Sequence, residues 1–340
     1  MGGTTRKAPR LAEVAKLAGV SSGLVSRIIN GDPTVRVRPE TRERVLSAVE
    51  MLNYTPHMSA RALRNAQTGL LGFALHHAND PIYVQLVDQA QAEAARNNFS
   101  LILLNTTELA ERGDAFREIV LGRRVDGLLV QLGVTPEEGT LREIARNVPS
   151  VVFGADPAAD LRTIRLDDVR AARLATEHLV QEGHTSIAYI GGDGASSQRR
   201  YEGYRSALAE AGLSPLAPIN GGWVADSGHK AARMLLLDHP EVTGIVAVST
   251  TTALGVHSGI IAAGLTIPED VSLVSVHDTW FAPHLNPPLS VVALPLADVG
   301  RRAVAMLIEQ IADPTTGETV VDEPGPKLVV RGSTGPPRTA

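Results

Sequence analysis

The pattern of this chain of 340 residues predicts an α/β protein, with a small all-α module ahead of a doubly wound core in two lobes. Residues 11–53 carry apolar side chains at helical spacing in three short runs. From Leu70 onward, short apolar runs alternate with amphipathic helical stretches. Charge is divided as well. Residues 1–68 hold 11 basic and 5 acidic side chains, and the remainder holds 21 and 32, so one end suits a polyanion while the rest avoids it. Charge alone leaves open a basic tail without a partner. There is no Cys, no run of 18 apolar residues, and no apolar stretch in the basic start Met1 to Arg10. These features predict a soluble, cytoplasmic chain without a membrane span, signal peptide, disulfide, thiolate zinc site or Cys nucleophile.

Each element of the basic end has a local cause. Leu11, Val14, Ala15 and Ala18 form one helical face that ends at Gly19-Val20. Ser21 is a good N-cap for a second helix with Leu24, Val25, Ile28 and Ile29 inward, stopping near Asn30-Gly31. A third helix, Pro39 to Asn53, has proline in its first turn and an apolar stripe through Val45, Val49 and Leu52. Two short helices across a glycine turn, closed by a third, are what a helix-turn-helix needs: the second helix offers its N-terminal residues to a major groove.

The residues Val14-Ala15-Lys16-Leu17-Ala18-Gly19-Val20-Ser21 and Val25-Ser26-Arg27-Ile28-Ile29-Asn30 closely resemble the start of LacI-type repressors. Thr41-Arg42-Glu43-Arg44-Val45 and Leu52-Asn53-Tyr54-Thr55-Pro56 continue the resemblance. It implies a double-stranded DNA operator as partner and an interface drawn from Ser21, Ser22, Gly23, Ser26, Arg27, Asn30, Arg36, Arg38 and Tyr54. Ser22 and Gly23 take the base-reading positions, and Arg27 takes the one that commonly reaches guanine. By itself Arg27 reads equally as a solvated helix arginine. Ser22 and Gly23 are small, so readout leans on Arg27 and close backbone approach. Leu24 and Arg38 depart from the family pattern, with Arg36 and Arg38 available for phosphate.

The segment His57-Met58-Ser59-Ala60-Arg61-Ala62-Leu63-Arg64 has high helix propensity over only about two turns, too short to be stable alone in water. The resemblance makes it a hinge helix that pairs with its dimer mate in the minor groove. Ala60 would allow close approach, Leu63 would act as a wedge between base pairs, and Arg61 and Arg64 would hold phosphates.

In the acidic remainder, strands are expected at Leu70–Leu75, Leu101–Leu104, Gly127–Val130, Val151–Phe153, Ile187–Ile190, Ile245–Val248 and Leu273–Val276. Continuous apolar runs imply strands covered on both faces, and they divide into two lobes around Leu166. In such folds ligands bind at strand C-termini. The resemblance extends through Asp126-Gly127-Leu128-Leu129-Val130, Arg200-Tyr201-Glu202-Gly203-Tyr204, Ala253-Leu254-Gly255 and Pro287-Pro288-Leu289, and implies a periplasmic-binding-protein-like effector core. The expected map is a headpiece at 1–56, hinge helix and linker at 57–68, one lobe at 69–165 and 296–326, and the other at 166–295 and 327–340.

Relatives bind small effectors, often sugars or purines, and the matching positions here are Arg200, Trp223, Ser249, Thr250 and His277. A guanidinium fork at Arg200 suits hydroxyl or carboxylate groups. Trp223 suits ring stacking, with core packing as its rival. Ser249-Thr250 stand where relatives often carry Asn-Asp, His277 replaces the usual Asp, and Leu294 replaces a common glutamine. Acidic acceptors for sugar hydroxyls are therefore expected to be missing, and the effector to be anionic or partly apolar. His277 also reads as a satisfied histidine at a strand end. Gly191-Gly192-Asp193-Gly194 lacks the spacing of a phosphate-binding fingerprint and is read as a cleft loop. His76 and His77 make no metal site without further ligands, and no cofactor is expected.

The expected function is a dimeric transcription repressor that binds a palindromic operator and senses a small metabolite between its lobes. A solute-binding protein of the same two-lobed fold is the alternative, disfavoured by residues 11–64. An enzyme lacks a candidate group, since no nucleophile elbow, P-loop, zinc motif or complete dinucleotide fingerprint is present.

Overall fold

The computed structural model describes residues 9–29, 32, 34–54, 67–78, 80–106, 118, 120, 122, 124–133 and 138–338. Residues 1–68 and 69–340 form two compact units. The first contains α1 (Leu11–Ala18), α2 (Ser22–Ile29) and α3 (Pro39–Met51). Gly19 ends α1 in the left-handed conformation, φ 66°, and its N–H reaches the last carbonyls of the helix. Ser21 Oγ accepts the Leu24 N–H at 3.2 Å, which satisfies one of the orphan donors at the start of α2. α3 stops two residues before the expected Asn53, because Asn53 turns left-handed at φ 48°. Val14, Ala18, Val25, Ile28, Val45 and Ala48 close the core of this unit.

The second unit holds two six-stranded sheets. Its strands are β1 (Leu70–Leu75), β2 (Ser100–Asn105), β3 (Gly127–Gln131), β4 (Ser150–Phe153), β5 (Arg162–Leu166), β6 (Ile187–Gly191), β7 (Ile219–Asn220), β8 (Gly244–Ala247), β9 (Ser272–Val276), β10 (Ser290–Ala293), β11 (Gly317–Val321) and β12 (Lys327–Val329). Among the described residues, the longer helices are α4 (Val84–Arg96), α5 (Gly139–Asn147), α6 (Asp168–Gln181), α7 (Ala195–Glu210), α8 (Ala225–Asp238), α9 (Thr250–Ala262) and α10 (Leu296–Ala312). The sheets run β11-β5-β4-β3-β1-β2 and β12-β10-β9-β8-β6-β7. Every pairing is parallel except β10 with β12.

The chain passes between the sheets after Leu166, after Ala293 and after Val321. The seven expected strands are present within a residue or so at each end. β5, β7, β10, β11 and β12 were not expected. β7, β11 and β12 lie at sheet edges, where one open side removes the need for a continuous apolar run, while Arg162-Thr163-Ile164-Arg165-Leu166 alternates. Helices pair closely where glycine removes the side chain. A methyl on Gly203 would overlap the Val169 carbonyl of α6, and one on Gly255 the Ala225 carbonyl of α8.

Candidate functional site

In the first unit, Ser21, Ser22, Gly23, Arg27, Arg36 and Arg38 are exposed, so α2 and the segment leading into α3 present one polar, basic surface. Arg36 and Arg38 point outward because Val35 and Val37, between and before them, pack against the core. Arg27 is already engaged: Nε donates to Asp32 Oδ2 and Nη2 to Thr34 Oγ1, both at 2.8 Å. These bonds, with those from Thr34, lower the Asp32 carboxyl to about 2.

Two of the expected contact residues are largely buried in this unit. Ser26 on α2 is 8% exposed. Tyr54 is 8% exposed and its ring belongs to the three-helix core. Leu24 likewise packs against that core rather than replacing a phosphate contact. Asn30, Ala60, Arg61, Leu63 and Arg64 lie outside the described residues.

In the second unit, a cavity opens where the C-terminal ends of both sheets meet. β1 delivers His76 and His77, β3 Gln131, β4 Phe153, the first turn of α7 Ser196, and β9 His277. Asp80 and Tyr83 stand on the turn before α4, Asp168 opens α6, and Arg200 projects from α7. On the first-lobe wall, Gln131 Oε1 accepts the His76 N–H at 2.9 Å and Nε2 donates to the Tyr83 hydroxyl at 2.6 Å. The Tyr83 ring meets Phe153 edge-on at 6.5 Å, and burial raises its phenol far above the ordinary range.

Arg200, Trp223 and His277 line this cavity, as the sequence suggested. Arg200 is 2% exposed and fully engaged. Its Nε donates to Asp168 Oδ1 at 2.8 Å, Nη1 to the Val248 carbonyl at 2.6 Å, and Nη2 lies 3.2 Å from His277 Nε2. Its guanidinium also sits over the Trp223 ring, 5.9 Å from the centroid. Trp223 donates Nε1–H to the Asp193 carbonyl at 3.0 Å. Any side chain at Gly192 would strike that indole, which explains the glycine at that position.

Ser249 and Thr250 are not at the cavity wall. Both are fully buried. Ser249 Oγ caps α9 by accepting the Thr252 N–H at 3.2 Å, and Thr250 Oγ1 donates to the His277 carbonyl at 2.8 Å. Polar residues following a strand are drawn into capping the next helix, as Ser249 is here, while the Thr250 hydroxyl is taken up by the backbone that follows β9. Leu294 also belongs to the core, and Leu296 lines the cavity instead.

Sequence reasoning missed Asp168, Arg199, Asp80, Tyr83 and Gln131. Asp168, 2% exposed, binds Arg200 through one oxygen and Arg199 through the other, the latter from Nη2 at 2.8 Å. Arg199 then crosses to the first lobe, donating to the Gly154 carbonyl at 2.8 Å and pairing with Asp156. Two further bonds join the lobes. Thr251 Oγ1 donates to Asp80 Oδ1 at 2.9 Å, and the Ala195 N–H to the Gly133 carbonyl at 2.7 Å. Burial pushes the Asp80 carboxyl above its ordinary value. The adjacent pairs Asp167-Asp168 and Arg199-Arg200 were visible signals, but nothing local says that they meet. Asp80 therefore corrects the expectation that no acidic acceptor remains in the cleft. Among the described residues, no group of three His, Cys, Asp or Glu is placed to hold a metal ion, and no helix is long and apolar enough to cross a membrane.

A three-helix module with an exposed second helix, joined to a two-lobed core with a polar cleft, defines a ligand-responsive DNA-binding regulator. Residues 10–57 match the model for bacterial regulatory proteins of the lacI family, and residues 176–334 match a periplasmic binding protein-like domain. The chain is 32% identical over 335 residues to the HTH-type transcriptional repressor PurR of Vibrio campbellii, covering 95% of this chain and 98% of that one. It is also 32% identical over 326 residues to the ribose operon repressor of Haemophilus influenzae, covering 92% and 96%.

Among solved structures, the lac repressor dimer bound to operator and the anti-inducer ONPF superposes with a TM-score of 0.83 at 26% identity, covering 97% of this chain and 100% of that one. The transcriptional regulator CelR–cellobiose complex gives 0.70 at 31% identity, covering 96% and 99%. The chain belongs to the lacI family of bacterial regulatory proteins and is a ligand-responsive, DNA-binding transcription repressor.

Proposed function

We propose that two copies of this chain pair on a palindromic operator and that a small molecule held between the lobes controls how tightly they bind it. The headpiece at 1–56 places Ser22, Gly23 and Arg27 against base edges, with Ser21, Arg36 and Arg38 on phosphate. The segment 57–68 supplies the hinge helix, with Ala60, Arg61, Leu63 and Arg64 in the minor groove. One lobe comprises 69–165 and 296–326, the other 166–295 and 327–340, and Arg200, Trp223 and His277 face the effector. A protein acting on DNA in this way works in the cytoplasm and regulates rather than catalyses.

The observation that carries the reading is the cleft itself, lined from both lobes and closed by bonds from Thr251, Arg199 and Ala195 to the opposite lobe. A ligand there changes the contact between lobes and hence the equilibrium between their arrangements. Coupling is reciprocal, so an effector that weakens operator binding is bound less tightly by the operator complex, by the same factor. Pairing is supported by the apolar side chains that α8 and α9 leave outside, Met234, Leu237, Leu254 and Ile261, together with Trp280 beyond β9.

Selection of random duplex oligonucleotides by the purified full chain, with and without candidate metabolites, tests the proposal. An enriched inverted repeat is expected, and its absence under both conditions refutes the reading.

A further inference from the structure

Taking the headpiece as the DNA reader, as proposed above, we infer that Asp32 and Thr34 are positioning residues: they hold the Arg27 guanidinium by its side and leave the end of its fork to read guanine. A guanidinium carries five N–H donors in one plane. The two that Arg27 uses lie along one side of the fork, where Nε donates to Asp32 Oδ2 and Nη2 to Thr34 Oγ1, both at 2.8 Å. Neither bond uses Nη1. The Nη1 donors and the second hydrogen of Nη2 form the end of the fork, and a parallel pair of N–H groups there matches the O6 and N7 acceptors of guanine. Adenine presents a donor in place of O6 and does not fit that edge.

The support is itself fixed. The Asp32 N–H donates to the Arg27 carbonyl at 3.0 Å and the Val35 N–H to the Asp32 carbonyl at 3.2 Å, while Val35 packs against the three-helix core. Asp32 Oδ1 accepts the Thr34 N–H at 2.9 Å and the Thr34 hydroxyl at 2.7 Å, which leaves the lone pairs of that hydroxyl for Nη2. Each acceptor thus has one orientation. The bonds from Arg27 first, then from Thr34, lower the Asp32 carboxyl to about 2, so it remains an acceptor at neutral pH. The Arg27 side chain is still 47% exposed, and its guanidinium is held without being covered.

Holding the guanidinium has two consequences. An untethered arginine on a helix surface loses rotamer freedom when it docks on a base, and one fixed beforehand does not lose it again. An untethered guanidinium also binds whatever phosphate it meets, whereas Asp32 offsets that attraction and sets a negative charge at the interface. The pair therefore lowers general affinity and raises selectivity. An exposed ion pair adds little to stability, so its removal is expected to leave the headpiece folded.

Binding of the full chain to altered duplexes tests this. The inverted repeat that the chain selects from random oligonucleotides is compared with the same repeat changed at the guanine that Arg27→Ala ceases to distinguish, and with an unrelated duplex. Asp32→Asn keeps the size of the side chain and one acceptor, and Thr34→Val keeps the branched shape. The unaltered chain is expected to prefer guanine by roughly 5- to 150-fold. Each variant is expected to lower that ratio by about twofold or more, while the unrelated duplex is bound as well as before or more tightly, which also shows a folded headpiece. In an Arg27→Ala background neither variant lowers the ratio further. Full discrimination in both variants, an equal weakening on every duplex in both, a further loss in the Arg27→Ala background, or no guanine lost by Arg27→Ala overturns the inference and leaves the regulatory reading standing. If the unaltered chain selects no repeat, the regulatory reading fails and the inference with it.

Discussion

Arg27 and Asp168 illustrate two fates of a charged residue. Arg27 is exposed and shares its charge with Asp32, an arrangement worth little to stability at the surface. Replacing it with alanine is expected to relax selectivity at one base position by about 1–3 kcal/mol, whereas loss of a phosphate contact weakens all sequences alike; binding to single-substituted operators distinguishes the two. Asp168 is buried between Arg199 and Arg200. Asp168→Ala leaves two guanidinium groups without their shared counter-ion, and a loss of about 3–5 kcal/mol in urea unfolding of residues 69–340 is expected. The sequence marks both residue types, but only burial separates them.

The segment after β12 straps the second lobe. Ser333 Oγ donates to the Leu273 carbonyl at 2.6 Å and accepts the Ser290 N–H at 2.8 Å. Thr334 Oγ1 meets His178 Nε2 at 2.8 Å, and the Gly335 carbonyl meets His184 Nε2 at 2.9 Å. Burial lowers the pKa of both histidines. In the unfolded chain they protonate first, near about 6.5, so the stability that the neutral rings contribute is complete above that pH and is lost as pH falls toward their folded values. Calorimetry is expected to show the melting temperature of the core falling as pH drops from about 6.5 to 5, with a shallower fall in His184→Asn. A shallow slope already present in the unaltered protein counts against the strap. This element had no helical or strand period to announce it, because its bonds are made by side chains and by backbone from distant strands.

At the scale of the molecule, the path from Asp156 and Gly154 through Arg199, Asp168 and Arg200 to His277 joins the rim of the first lobe to the cleft floor. Arg199→Ala removes the crossing from the first lobe and leaves the Asp168–Arg200 pair intact. The ligand-free core is expected to open, with a larger radius of gyration in X-ray scattering; an unchanged radius shows that the Thr251 and Ala195 bonds suffice alone.

The helix-turn-helix was legible because its signals are local. Gly19 turns left-handed, Ser21 caps, and apolar residues recur every three or four positions. The central strands were legible because both their faces are covered. Five further strands escaped, three of them at sheet edges, where half-open surroundings relax the pattern. Arg200, Trp223 and His277 were placed in the cleft by resemblance, and the structure seats all three there. Ser26, Tyr54, Ser249 and Thr250 are buried, which was not legible because residue type does not say which way a polar group faces. Composition and short-range spacing thus determined the two units and the helix-turn-helix, and the resemblance carried by those residues determined the class of protein. The contents of the cleft and the neutralisation of Arg200 by Asp168 were decided by tertiary structure alone. Charge pairing and hydrogen-bond satisfaction depend on distances between residues tens of positions apart, which no local pattern encodes.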